Sequence, residues 1–166
     1  WVSITPGDNS DIINDNDGEN TNVMLDGFKF TPKKWITFCV PFDATMEQVE
    51  DAFGGEVDIE ELIYSTWDAP NLFLMLYFEP RNEIIAGKPY VLKVPVDVIN
   101  PIFKDVTIQN IIPETITTTY CAMTGVFNAT PLTANDKNTL FISNNRFYHP
   151  ATSDALPATK CYFSLL

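Results

Sequence analysis

Histidine is almost missing from this chain: His149 is the only one in 166 residues. Within one chain that excludes a metal centre with two imidazole ligands, and a nucleophile–His–acid triad would have to use this single residue. No GxSxG turn accompanies it. His149 follows Tyr148 and precedes Pro150 at an expected strand end, where the plain reading is an exposed or hydrogen-bonded structural imidazole. Cysteine is scarce too: Cys39, Cys121 and Cys161, with no CxxC spacing and no Cys/His cluster. A zinc site is therefore not supported, and no metal or cofactor is expected. An odd number cannot pair fully. Each cysteine lies in an apolar, strand-like run, where a free thiol packs as a small hydrophobe. Three free thiols is the first reading, one disulfide the alternative. Cys39 or Cys121 as nucleophile would need His149 and an electropositive setting, and neither run offers one. No glycine-rich phosphate loop of the GxGxxG or GxxxxGK[ST] kind is present.

Positive charge is also in short supply. Lys and Arg total 10 against 22 Asp and Glu, a formal net charge of −12. Between Lys34 and Arg81 there is no basic residue, while ten acids fall in that stretch, from Asp43 to Glu79. A negative patch on one face is expected, as a solvated acidic surface. Such a field repels nucleic-acid phosphates and anionic membranes, so neither is an expected partner. The longest apolar run, Leu72 to Phe78, is far too short to span a bilayer, so no membrane insertion by this segment is expected. The chain starts at Trp1 without a leader pattern, which reads as a mature or trimmed segment.

What is abundant is aromatic and β-prone. Twelve Phe, six Tyr and three Trp give an aromatic fraction of 13% within a hydrophobic fraction of 45%, enough for a core without disulfides or metals. The length fits one domain. Residues 1–22 form a polar, acidic N-terminal segment, and 23–166 a β domain. In the first, Ile12-Ile13 reads as a short strand. Asp8, Asp11, Asp15, Asp17 and Glu19 raise the question of a calcium loop. With Gly18 as the EF-hand glycine, position 1 is Ile13 and position 12 is Met24, so that pattern fails. A solvated loop or a calcium site of another kind remains.

From residue 23 short β runs alternate with turns. Val23–Leu25 and Phe28–Phe30 flank Asp26-Gly27, a hairpin turn or a bulge. Trp35–Phe42 is apolar on both parities, as a strand covered on both faces would be. Thr45 and Gln48 spell a capping box for one short helix over 46–53, with Met46, Val49 and Phe53 on its apolar side and Gly54-Gly55 as its stop. Further strands are expected at 59–66, 72–78, 90–94, 106–112, 116–120, 124–127, 140–143, 146–148 and 161–165. The turns between them include 67–71, Ala86–Pro89 and Asn144-Asn145. The fold class is all-β, mostly antiparallel: a β-sandwich or open barrel with one short helix.

Several pieces, in order, carry a resemblance: Trp35–Asp43 (WITFCVPFD) before the small helix, Ala86–Lys93 (AGKPYVLK), Asn100–Phe103 (NPIF), Val106–Ile108, Gly125–Phe127, Phe141–Phe147 (FISNNRF), and the closing Cys161-Tyr162-Phe163. Over residues 22–166 the chain resembles a C-terminal β domain of unknown function that recurs in Bacteroidetes cell-surface proteins, some with leucine-rich repeats. Ile36 stands where that family usually has Asn, Val40 where it has Leu, and Lys160-Cys161 where it often has Arg-Ala. The resemblance implies an extracellular or outer-surface location, a β architecture and no known catalytic residue. Trp35, Phe38, Phe42 and Tyr90 within it also read as core builders.

The functional expectation is a non-catalytic accessory or interaction domain of an exported protein, with adhesion as a candidate role. Its expected partners are other domains of a larger surface protein or a glycan. The alternative is a carbohydrate-binding module around Trp67 with Tyr64, Asp68 and Asn71, an aromatic platform beside hydrogen-bonding groups. Against that, the first reading of Trp67 is a turn residue plugged into the core. Tyr148 and Asn144-Asn145 are secondary candidates. The remote alternative is a small glycoside hydrolase, which needs only two carboxyls about 5–10 Å apart across a cleft.

Overall fold

A computed structural model describes all 166 residues. The first strands are β1 (Val2–Ile4), β2 (Asn20–Leu25), β3 (Lys29–Phe30), β4 (Ile36–Phe38) and β5 (Ala44–Thr45). Helix α1 (Ser10–Asp15) lies between β1 and β2, and α2 (Met46–Phe53) follows β5. The middle of the chain forms β6 (Asp58–Asp68), β7 (Phe73–Arg81), β8 (Glu83–Ile84), β9 (Tyr90–Lys93), β10 (Val98–Ile99) and β11 (Ile102–Thr107). The last third holds β12 (Thr115–Thr117), β13 (Cys121–Gly125), β14 (Thr130–Pro131), β15 (Thr139–Ser143), β16 (Arg146–Tyr148), β17 (Ala155–Leu156) and β18 (Cys161–Leu165).

Two sheets dominate, in strand order β4-β9-β6-β7 and β12-β13-β18-β15-β16, both antiparallel throughout. A third sheet, β1-β2-β11, contains the one parallel pair, β1 with β2. No sheet closes into a barrel, and the all-β, mostly antiparallel class stands. One core joins the three sheets: Phe38 and Leu92 from the first, Met123 and Phe163 from the second, Val23 and Phe103 from the third. At its centre Phe38, Phe42, Phe53 and Phe103 meet ring against ring, with Phe103 5.0 Å from Phe42 and 5.6 Å from Phe53. Tilted and edge-on contacts of this kind add to simple area burial. Trp35–Phe42 is strand only over Ile36–Phe38, yet every residue from Thr37 to Phe42 is buried, as its apolar character on both parities anticipates.

Helix α2 forms for local reasons. The Thr45 hydroxyl accepts from Gln48 N–H at 3.2 Å, and the Gln48 side chain accepts from Thr45 N–H at 2.9 Å. Gly54 ends the helix in the left-handed conformation, φ 79°. Val49 and Phe53 are buried from it, and Met46 packs against them. Thr45→Ala removes the acceptor for an orphan helix donor and is expected to cost about 1 kcal/mol in urea unfolding; a change below about 0.3 kcal/mol would show that packing alone holds this helix.

Several expected elements come out differently. Ile12-Ile13 is helical rather than a strand, and α1 is a second short helix. It is held from a distance: Asn9, at its start, is buried, its Nδ2 donating to Phe127 O at 2.8 Å and its N–H to Asn128 Oδ1 at 2.6 Å. Val2, Ile4 and Ile13 join the main core, so residues 1–22 pack as part of the same body as the rest. Asp26-Gly27 is not a hairpin turn, because β2 pairs with β1 and β11 while β3 pairs with β10. The strand expected at 106–112 is displaced to Ile102–Thr107, and that at 124–127 to Cys121–Gly125, because their register is set by pairing with β2 and β18. Asn144 and Asn145 do make the two-residue turn, with φ 51° and 61°.

Candidate functional site

The β6–β7 hairpin carries most of the sequence-predicted site. Its two strands pair from Ile59–Arg81 out to Asp68–Phe73, with a bulge between Leu62 and Tyr64. A bulge shifts the inside–outside alternation by one residue. Beyond it, Ser65 and Trp67, with Leu74 and Leu76 opposite, face inward, and Leu74, Leu76 and Phe78 pack on the core. Tyr64, Thr66 and Asp68, with Tyr77, Met75 and Phe73 opposite, face out. Trp67 and Tyr64 are therefore on opposite faces and do not form one platform.

Trp67 is half-exposed at the mouth of an apolar cleft of about 380 Å³ that it shares with Leu74, Tyr120, Leu165 and Leu166. The adjoining loop is tied by Ser65 Oγ, 2.7 Å from Thr118 Oγ1 and accepting from Tyr120 N–H at 2.9 Å. Asp68 and Asn71 close the hairpin turn on themselves: Asn71 Nδ2 donates to Asp68 Oδ2 at 2.9 Å. Of the four residues, two shape a turn, one lines an apolar cleft and one lies on the far face.

The outer face holds what sequence reading missed. Tyr64 stacks on Tyr77 at 4.2 Å and 11°. Met75 and Phe73 continue the strip, Phe73 being 61% exposed, and Leu72 at the tip is 73% exposed. β7 is the last strand of its sheet, so its outer backbone edge is unpaired. Toward the base of the hairpin Glu61 and Glu79 face each other, but Arg81 clamps both, Nε to Glu61 at 2.7 Å and Nη1 to Glu79 at 3.4 Å. Lys88 adds a third contact, 3.0 Å from Glu61.

A second hairpin, β15–β16, has two different faces as well. Ile142 and Phe147 face Trp35, Phe78 and Val91 in a groove of about 170 Å³ that Glu60, Asn145 and Arg146 also line. Trp35 is fixed there, its backbone N–H donating to Asn145 Oδ1 at 2.7 Å and its ring covered by Lys93 Nζ at 4.4 Å. Phe141 and Tyr148 face the other way, over a cleft of about 320 Å³ closed by residues 149–157. His149 sits at its rim with Nδ1 3.0 Å from Thr139 O.

The three cysteines are free and buried. Burial pushes the Cys121 thiol up to about 11 and Cys161 to about 12, and drives Cys39 up as well, so each stays a thiol at neutral pH. Two of the five acids of residues 8–19 hold turns and neighbours: Asp8 accepts from Ser10 N–H and Oγ, which lowers its pKa, and Asp17 accepts from Asn110 N–H at 2.9 Å. No three of the His, Cys, Asp and Glu side chains converge as metal ligands would.

The fold and these surfaces define an all-β protein with two exposed hairpins, one apolar on its outer face and one bordering a polar-rimmed cleft. Compared with models of protein families, with curated proteins and with solved structures, the chain matches none of them.

Proposed function

We propose that this chain is a non-catalytic interaction module of an exported, outer-surface protein, with adhesion to a partner domain as its role. One observation carries the reading: the apolar strip of Tyr64, Tyr77, Met75 and Phe73 on the outer face of an unpaired edge hairpin. Exposed apolar patches on edge strands are usually blunted by charge, proline or cover, because they recruit other chains. Here Leu72 to Phe78 has no such guard; Glu79 and Pro80 come only at the base. The surface placement is supported by the resemblance of the segments from Trp35 to Phe163 to a recurring domain of Bacteroidetes surface proteins. The paired-carboxylate reading is disfavoured where Glu61 and Glu79 meet, since Arg81 and Lys88 neutralise the pair.

Antibody against the chain should label intact producing cells, and externally added protease should remove the label. Beads coated with the chain should adhere to those cells, and Phe73→Ser/Met75→Ser should lower adhesion at least about fivefold while shifting the unfolding midpoint little, as exposed sites do. A signal confined to lysed cells, or adhesion unchanged by the double substitution, would overturn the proposal. A second reading, glycan binding, is favoured by a separate cleft.

A further inference from the structure

The cleft under Tyr148 has a built character independent of the β6–β7 strip. Its floor is a small apolar cluster, Leu132 and Leu156 with Phe141 packed against it. Tyr148 forms one wall, its ring 5.9 Å from Phe141 at 27° and 41% exposed, so one aromatic face is supported and the residue stays open to a ligand. The opposite wall is held by backbone: β14 pairs with β17 through Thr130–Leu156 and Pro131–Ala155, and Asn135 N–H donates to Pro150 O at 2.8 Å.

The polar groups along the rim are mainly acceptors. Thr139 O can only accept, so His149 Nδ1 must carry the proton of that 3.0 Å bond, and Nε2 of the neutral ring is an acceptor without a protein partner. Asp154 is oriented by Thr152, whose hydroxyl donates to Oδ2 at 2.7 Å; Oδ1 is left without a partner. The Tyr148 hydroxyl also has none. No Lys or Arg lines the cleft. The volume, about 320 Å³, falls at the low end of the roughly 300–1,000 Å³ of small-molecule sites.

A supported aromatic face, an apolar floor and an acceptor-rich rim suit a ligand with an apolar C–H face and many hydroxyl donors. The carboxylate and the missing cations exclude anionic versions of it. We propose that the cleft between Tyr148 and Asp154 is a binding site for a neutral saccharide. One sugar ring lies along Tyr148, and its hydroxyls donate to Asp154 Oδ1 and His149 Nε2. Trp67, in its wholly apolar cleft, is not part of this site.

The test is a titration of the ¹⁵N-labelled chain with neutral hexasaccharides (gluco-, xylo- and manno-configured) and with a galacturonate hexamer as the anionic counterpart. At least one neutral sugar should shift amides of residues 148–157 in a saturable way, and the galacturonate should not. Tyr148→Ala and Asp154→Ala should each weaken that binding about tenfold or more, Tyr148→Phe should keep most of it, and Trp67→Ala should leave it unchanged. Unperturbed amides in β2, β9 and β11 identify folded variants. The proposal is overturned if no neutral sugar moves this segment at millimolar concentration, if both alanine variants bind like the parent, if galacturonate binds as well, or if the shifts centre on Trp67. None of these outcomes bears on the β6–β7 strip, whose own test uses Phe73 and Met75.

Discussion

Gly125→Ala is expected to destabilise the protein by about 3 kcal/mol or more, the upper end of what overpacking a core costs. Gly125 is the last residue of β13 and is buried. A Cβ there would run into Cys39 Sγ and lie 2.7 Å from Cys39 Cβ. Neither side can retreat cheaply. Gly125 pairs with Cys161 and donates its N–H to Glu114 O at 3.2 Å, and Cys39 N–H is bound to Thr159 O at 2.8 Å. Against a typical total of about 5–15 kcal/mol the loss is large, and at this chain length it corresponds to a drop of about 6–12 °C in Tm. Cys39→Ala in the same background removes Sγ but keeps the Cβ contact, so it should restore only part of the loss. Urea unfolding of the two single variants and the double one gives the coupling directly. An unchanged midpoint for Gly125→Ala would mean that β13 and the segment after β4 do not approach this closely.

Lys160→Met should stabilise the protein at neutral pH. The Lys160 ammonium sits 5.1 Å from the ring centre of Phe30, itself buried, and makes no ion pair. Burial lowers its pKa from an ordinary 10.5 to about 8, partly opposed by Cys161. Below about pH 8 the lysine is charged in both folded and unfolded chains, and the folded state carries the desolvation cost of a partly buried ammonium, on the order of 1–3 kcal/mol. Between about pH 8 and 10.5 the unfolded chain holds a proton that the folded one has shed, so this residue makes stability rise with pH.

Above pH 9 the buried thiols oppose that rise. Unfolded cysteines ionise near 9, whereas folded Cys121 and Cys161 wait until about 11 and 12. The lysine's signature is therefore a gain confined to about pH 8–9. The methionine variant should gain about 1–3 kcal/mol at pH 7, less whatever the cation–π contact with Phe30 contributes, and should lose the pH 8–9 rise. A variant that is less stable than the parent at pH 7 by 1 kcal/mol would show the ammonium to be solvated or paired.

Features governed by neighbours in the chain were legible in the sequence. Helix α2 was readable because Thr45, Gln48 and Gly54 satisfy its ends within ten residues. The Asn144-Asn145 turn was readable because asparagine tolerates positive φ, and the absence of a membrane-length apolar helix because length alone decides it. Helix α1 was not, since a six-residue segment of four polar residues and two isoleucines has weak local preference and is fixed by Asn9 reaching Phe127 and Asn128 more than a hundred residues away.

Composition and pattern alone determined an acidic, aromatic-rich, all-β chain with one histidine and core-like cysteines; that all three are free was decided by the structure. Only the tertiary structure decided which side chains share a surface. Tyr64 and Trp67, three residues apart, fall on opposite faces by alternation, but a one-residue bulge before Tyr64 decided which of them points outward, and the pairing of β14 with β17 holds Leu156 in the cleft that Tyr148 and Asp154 both line. Strand register and loop closure are set by partners distant in sequence, and a side chain's face reverses with every single-residue shift.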